Sequence, residues 1–196
     1  GVLRALKAKA PSLPVMLDSG AYHVRALGSR VGVRSYARFA YANRGLFDLV
    51  VAPDVPGAPR ATIARTLLFK RFYDGAFIPV IQGVTVEDYT WCLGEMRRIA
   101  DVGHVGVGGL DGERRRPGFL RELLNRLCDD SVKLHLFGVG PGALARLREY
   151  DCVVSTDSGT WSMGIIYRRR DLKAQDPVEL NYIAMRRHVE RSTKLR

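Results

Sequence analysis

Cysteine is scarce in this sequence, acidic residues are outnumbered, and no long apolar run occurs. The three cysteines, Cys92, Cys128 and Cys152, are odd in number, widely spaced and form no C-x-x-C pair. That argues against a disulfide framework or a zinc ribbon, and leaves buried free thiols in a reducing compartment as the expectation. The four histidines, His23, His104, His135 and His188, show no ligand spacing, so no metal and no cofactor is expected. No stretch approaches the ~20 consecutive apolar residues of a membrane helix. Residues Gly1 to Lys9 are basic but lack the apolar segment of a signal peptide. A cytoplasmic protein without membrane contact is the expectation. Low-complexity segments and repeats longer than one strand and helix are also missing.

The shortage of acid is the most informative of these. Thirty-one Lys and Arg against twenty Asp and Glu leave a net charge of +11 over 196 residues. A balance this basic points to a polyanion, nucleic acid first. An arginine-rich solvated surface, as in a heat-adapted protein, is the competing reading. Two arginine runs stand out as phosphate contacts: Arg114, Arg115 and Arg116, and Arg168, Arg169 and Arg170.

What is present is a repeated order of strand, loop and helix. Apolar runs end at Asp18, Asp54, Gln82, Gly108, Val139 and Asp157, at spacings typical of βα units. Between them, helices are expected over Ser35–Asn43, Ala58–Tyr73, Thr85–Ala100, Gly118–Cys128 and Pro141–Tyr150, with a last one from Asp176 to about Arg191. Thr85 and Asp88 have the spacing of a capping box, and Pro141 suits a first helical turn. The expected fold is α/β, a single (β/α)8 TIM-barrel-like domain over residues 1–196. Six parallel units are recognisable, and the N-terminal part reads as incomplete or divergent.

Ligands bind at the C-terminal ends of strands in parallel α/β sheets. Asp18, Asp54 and Asp157 each follow an apolar run, and Gln82 marks a fourth such end. Any one Asp there can be a helix N-cap. Three together repel one another, which favours a functional site. Two glycine-rich turns, Gly106-Val107-Gly108-Gly109-Leu110 and Phe137-Gly138-Val139-Gly140, allow close approach of backbone to a flat ligand or are tight turns only.

Taken in order, Leu17-Asp18-Ser19-Gly20-Ala21-Tyr22, Val80-Ile81-Gln82-Gly83, Val107-Gly108-Gly109-Leu110 and Leu136-Phe137-Gly138-Val139-Gly140 resemble the motifs of the tRNA-guanine transglycosylase (queuine tRNA-ribosyltransferase) superfamily. The ending Ser155-Thr156-Asp157-Ser158-Gly159-Thr160-Trp161 is most similar to the branch that inserts 7-deazaguanines into DNA. The resemblance covers about residues 14–161.

It implies replacement of guanine in nucleic acid, DNA in preference to tRNA, by a 7-deazaguanine base through a covalent Asp-glycosyl intermediate. Asp157 would be the nucleophile and Asp18 the general base, with Ser19 beside it. Asp54 and Gln82 would read the purine edge, helped by backbone at Gly108 and Gly109, and Tyr22 and Phe137 would sandwich the base. Asp151 is a rival nucleophile, since Asp151-Cys152-Val153 resembles the corresponding triplet of the bacterial tRNA enzymes. It precedes its apolar run, at the opposite end of the strand. No cysteine follows Cys152, so the zinc ligands of the tRNA enzymes are absent from this sequence. Two alternatives stand beside this reading. One is a TIM-barrel enzyme for a small phosphorylated substrate, disfavoured because clustered carboxylates repel phosphate. The other is a catalytically silent nucleic-acid-binding relative, completed as a homo-oligomer or by a partner subunit.

Overall fold

The computed structural model describes residues 14–21, 32–110 and 116–157, together with 4, 7, 8 and 11. Every apolar run among them that the sequence marks as a strand is one. These are β1 (Met16–Leu17), β2 (Leu49–Val50), β3 (Val80–Ile81), β4 (His104–Val107), β5 (Lys133–Leu136) and β6 (Val153–Thr156). All pairings are parallel. β1 pairs with β2, and β3 to β6 form a second sheet in chain order. A parallel bridge between Val51 and Ile78 links the two sheets. There the Ile78 N–H donates to Val50 O at 2.7 Å, and the Ala52 N–H to Ile78 O at 2.9 Å.

Helices fill the intervals: α1 (Val33–Ala42), α2 (Pro59–Lys70), α3 (Val86–Met96), α4 (Pro117–Leu127) and the short α5 (Pro141–Leu144). α3 starts where its capping box dictates. The Thr85 hydroxyl accepts the Asp88 N–H at 3.2 Å, and the Asp88 carboxylate accepts the Thr85 N–H at 3.1 Å. α2, α4 and α5 each begin at proline, whose missing N–H costs nothing in the first turn. α2, α3 and α5 are shorter than the sequence suggests, whereas α1 and α4 match it within about two residues at each end. α3 stops at Met96 and α5 at Leu144, and the residues beyond continue as turns. The expected helix from Asp176 lies outside the described residues.

Alternation along the strands builds the core. Ile81, Val105, Val107, Leu134 and Leu136 face the helices and pack with Tyr89, Leu93 and Met96 of α3 and Leu120, Leu123, Leu124 and Leu127 of α4. Burying each such side chain contributes about 1.5–3 kcal/mol. A second cluster lies under α1 and α2, where Phe69 stacks on Tyr73 at 5.0 Å and meets Phe77 edge-on at 5.4 Å. α2 buries two threonines and one aromatic residue. Thr62, Thr66 and Phe69 face inward, whereas Leu67 and Leu68 are exposed. Thr62 is tolerated there because its hydroxyl takes the Val55 N–H at 3.0 Å.

The cysteines require a correction. Cys128 and Cys152 form a disulfide with a Cα–Cα distance of 5.7 Å, tying the end of α4 to the start of β6. Spacing along the chain hid this, because the two meet only once β5 and β6 lie side by side. Cys92 is free and buried, and burial pushes its thiol up to about 11. Among the described residues no helix is long and apolar enough to cross a membrane.

Replacing Thr85 with Ala is expected to cost about 1 kcal/mol, whereas Thr85→Ser retains most of the cap. Urea denaturation midpoints of the two variants measure this, and equal midpoints would show that the cap contributes nothing.

Candidate functional site

Register decides which side chains meet. Val80, Gly106, His135 and Ser155 are successive partners across β3 to β6, so they share the sheet face turned away from the helices. Two residues further on, the same face carries Gln82, Gly108, Phe137 and Asp157. The ladder reaches that far, since Gly108 N–H donates to Ile81 O, Phe137 N–H to Val107 O and Asp157 N–H to Leu136 O. Four expected site residues thus form one row at the C-terminal strand ends.

Asp157 joins this row because of an irregularity. Leu134 pairs with Val153, but His135 pairs with Ser155, so Val154 is an extra residue in β6. A one-residue slip exchanges the two faces of a strand. Without the extra residue, Thr156 would stand opposite Phe137 and Asp157 would turn towards the helices. Asp157 is exposed, and its carboxylate accepts the Gly138 N–H at 2.5 Å from a turn in which Gly138 has φ +75°. Asp151 is exposed as well, but it lies before β6, at the opposite end of that strand.

Asp54, at the end of β2, is buried, with 7% of its surface exposed. One carboxylate oxygen accepts the Ser19 hydroxyl at 3.1 Å, and the other accepts the Gln82 side-chain amide. Burial lifts its pKa above the usual carboxylate range, and the charge of Asp18 adds to the rise. The bonds from Gln82 and Ser19 act in the opposite direction. Gln82 is 1% exposed, and its Oε1 accepts the Gly57 N–H at 3.1 Å, which fixes the orientation of the amide. Gly108 must be glycine, because a Cβ there would run into Gln82 Nε2 and lie 3.2 Å from Asp54 Oδ2. Gly109 has φ +71°, and a Cβ there would meet Gln82 Oε1.

Asp18 is exposed at the end of β1, close enough to raise the pKa values of both Asp54 and Tyr36. The structure therefore gathers Ser19, Asp54, Gln82, Gly108 and Gly109 into one contact set with Asp18 beside it. Asp157 stands three strands from Gln82 along the row. Phe137 sits between, its ring over Gly106, whose missing Cβ makes the room, and edge-on to His135 at 4.5 Å. Arg116 is the N-cap of α4. Tyr22, Arg114, Arg115, Arg168, Arg169 and Arg170 lie outside the described residues.

Three side chains escaped the sequence reading. Tyr36 of α1 is buried and donates to Val51 O at 2.7 Å, with Leu17 O at 3.2 Å, across the ends of β1 and β2. Burial, then the charge of Asp18, hold its phenol far above the ordinary range. Tyr89 of α3 donates to Gly108 O at 2.7 Å. His135 is 5% exposed beneath Phe137, its Nδ1 2.8 Å from Ser155 Oγ. Each comes from a helix face or strand interior and is itself part of no motif.

No family model and no curated protein matches this chain.

Burial holds the His135 pKa below 6.5, with His104 acting in the same direction and Asp157 against it. The unfolded chain then takes up this proton first as pH falls. The stability contribution is whole above about pH 6.5 and declines below it. His135→Gln is expected to flatten that acid limb, as read from denaturation midpoints between about pH 5 and 8. An equally steep limb in the variant would contradict the neutral, buried state.

Proposed function

We propose that this chain is a nucleic-acid base-exchange glycosyltransferase, a pentosyltransferase that replaces guanine with a 7-deazaguanine derivative, in DNA rather than tRNA. Its strands, parallel and sequential in order, belong on this reading to a (β/α)8-like barrel with a divergent N-terminal part. One observation carries the proposal. A buried, mutually bonded Asp54–Gln82 pair against glycine backbone shares a sheet edge with an exposed carboxylate, Asp157. Buried polar groups with fixed orientation suit the reading of a base edge, and an accessible carboxylate suits attack on a sugar carbon. The gap between them spans three strand spacings of about 4.8 Å along the sheet, room for a base joined to a pentose. The net charge of +11 suits a polyanionic substrate. Preference for DNA rests on the resemblance of the stretch from Ser155 to Trp161.

In the first step an Asp157 oxygen attacks C1′ while the C1′–N9 bond breaks. The electron pair leaves on guanine, which takes up a proton, and a glycosyl ester forms. The incoming 7-deazaguanine then gives its N9 proton to Asp18. Its N9 bonds to C1′, and the ester electron pair returns to Asp157. Asp54 accepts from the N1–H and the 2-amino group of either base, which selects guanine-like rings.

Asp157→Asn is expected to lower base release by about 10³-fold or more and to leave no denaturation-resistant complex with nucleic acid, while still binding it. Asp151→Asn keeps the complex and stays within about 0.5 kcal/mol of wild-type stability. A denaturing gel after incubation with DNA and a 7-deazaguanine reads both, and an adduct kept in Asp157→Asn but lost in Asp151→Asn reverses the assignment.

Free guanine should also bind more weakly as pH falls through the raised pKa of Asp54, because a protonated acid no longer accepts two donors. Calorimetric titration across pH measures this, and Asp54→Asn should remove the dependence. Binding that is flat with pH in the wild-type protein contradicts the role.

A further inference from the structure

Bulges are uncommon between parallel strands, so the extra residue in β6 needs something to hold it there. The strand has an alternative. Its start is fixed, because the Leu134 N–H donates to Cys152 O at 2.7 Å and the disulfide ties Cys152 to the end of α4. From that point an unbroken ladder would set Val154 opposite His135 and Ser155 opposite Leu136. Val154, now 44% exposed, would then move to the half-buried position of Ser155. Apolar burial thus favours the register without the bulge, the one in which Asp157 turns towards the helices.

What opposes it sits at the first pair after the bulge. His135 Nδ1 lies 2.8 Å from Ser155 Oγ, and a hydrogen bond forms whichever of the two donates. His135 is buried, and its Nε2 has no hydrogen-bond partner among the described residues. Slipping β6 by one residue puts a valine in place of the serine and turns the serine hydroxyl to the Leu136 side of the sheet. The buried imidazole would then have neither nitrogen bonded, which costs more than the exchange of one hydrogen bond for another.

We propose that Ser155 is a positioning residue for the nucleophile: bonded to His135, it selects the bulged register of β6 and so turns Asp157 to the face that carries Gln82 and Phe137. This rests on the reading of Asp157 as the nucleophile given above. The Ser155 hydroxyl is engaged by His135, and it acts on Asp157 through strand pairing alone.

The Gly138 amide reports the register, because its N–H donates to the Asp157 carboxylate at 2.5 Å only while Asp157 faces that turn. A charged acceptor draws an amide proton into a strong hydrogen bond and moves its resonance downfield. In NMR spectra of the full chain, Ser155→Ala should move the Gly138 amide upfield, since losing the bond shifts the balance of registers by about tenfold or more. Ser155→Thr keeps the hydroxyl and should keep the wild-type position. Deleting Val154 removes the extra residue, so the register no longer depends on Ser155. In that shortened chain the Gly138 amide should stay in place with Ser155 or Ala alike, which a merely structural role of the hydroxyl would not give. A Gly138 amide unmoved by Ser155→Ala, or moved equally in the shortened chain, overturns the inference. Should Ser155→Ala not fold, the shortened chain carrying it decides: a folded protein with the Gly138 amide in place supports the inference, and an unfolded one overturns it. Base release separates this inference from the reading beneath it. Ser155→Ala should lower its rate at unchanged nucleic-acid affinity, and Ser155→Thr should restore it. A rate that holds while the Gly138 amide moves, or no release by the wild-type protein, counts against Asp157 as the nucleophile and leaves the register to the Gly138 amide.

Discussion

A carboxylate buried at the end of a strand must have both oxygens bonded or give up its charge. Asp54 is such a group, and much of the surrounding sequence follows from it. Ser19 from the end of β1 and Gln82 from the end of β3 supply its two bonds. Gln82 is oriented in turn by the Gly57 N–H, and its side chain occupies space that a Cβ on Gly108 or Gly109 would fill. Gly109 reaches further, to the Tyr89 hydroxyl of α3. Four loops are thereby locked to one side chain, and a ligand that takes over any of these bonds is felt by all of them. Burial raises its pKa above the usual carboxylate range, and the bonds from Gln82 and Ser19 act against that rise.

The second constraint is geometric. Parallel strands present alternate residues to one face, so a functional row needs matching parity across neighbouring strands. β3, β4 and β5 achieve it without irregularity, whereas β6 achieves it through the extra residue at Val154. Bulges recur beside active sites because they re-aim side chains without altering the rest of the sheet. Here the bulge turns Asp157 to the face that carries Phe137. The Cys128–Cys152 disulfide anchors the start of the same strand. The Gly138 turn takes the carboxylate at the strand's other end.

Strand ends were legible in the sequence because each is a short β-branched or leucine-rich run stopped by an acidic residue, an amide or glycine. The Thr85–Asp88 cap was legible because both partners sit within one helical turn. Asp18, Asp54, Gln82, Gly108 and Gly109 were legible by position, since the C-terminal ends of parallel strands converge, whereas Ser19 was singled out only through the family resemblance. What stayed hidden depends on contacts across the fold. Tyr36 and Tyr89 look like ordinary buried aromatics until their hydroxyls are seen to serve carbonyls on neighbouring strands. His135 looks like one more alternating strand residue. The Val154 bulge and the disulfide depend on how β5 and β6 pair, which no local pattern states. The length of α2 was overread because its apolar residues continue past Lys70, and Leu67 and Leu68 turn out to face solvent.

The account makes Asp54, Gln82 and Asp157 parts of one machine that exchanges a guanine-like base in nucleic acid. The most direct measurement is mass spectrometry of nucleosides from DNA and tRNA after incubation with the wild-type protein and a panel of 7-deazaguanines. The account predicts release of guanine and the appearance of a 7-deazaguanine nucleoside in one of the two polymers, DNA first. Unchanged nucleosides in both polymers, with folded protein and bound nucleic acid, would contradict it.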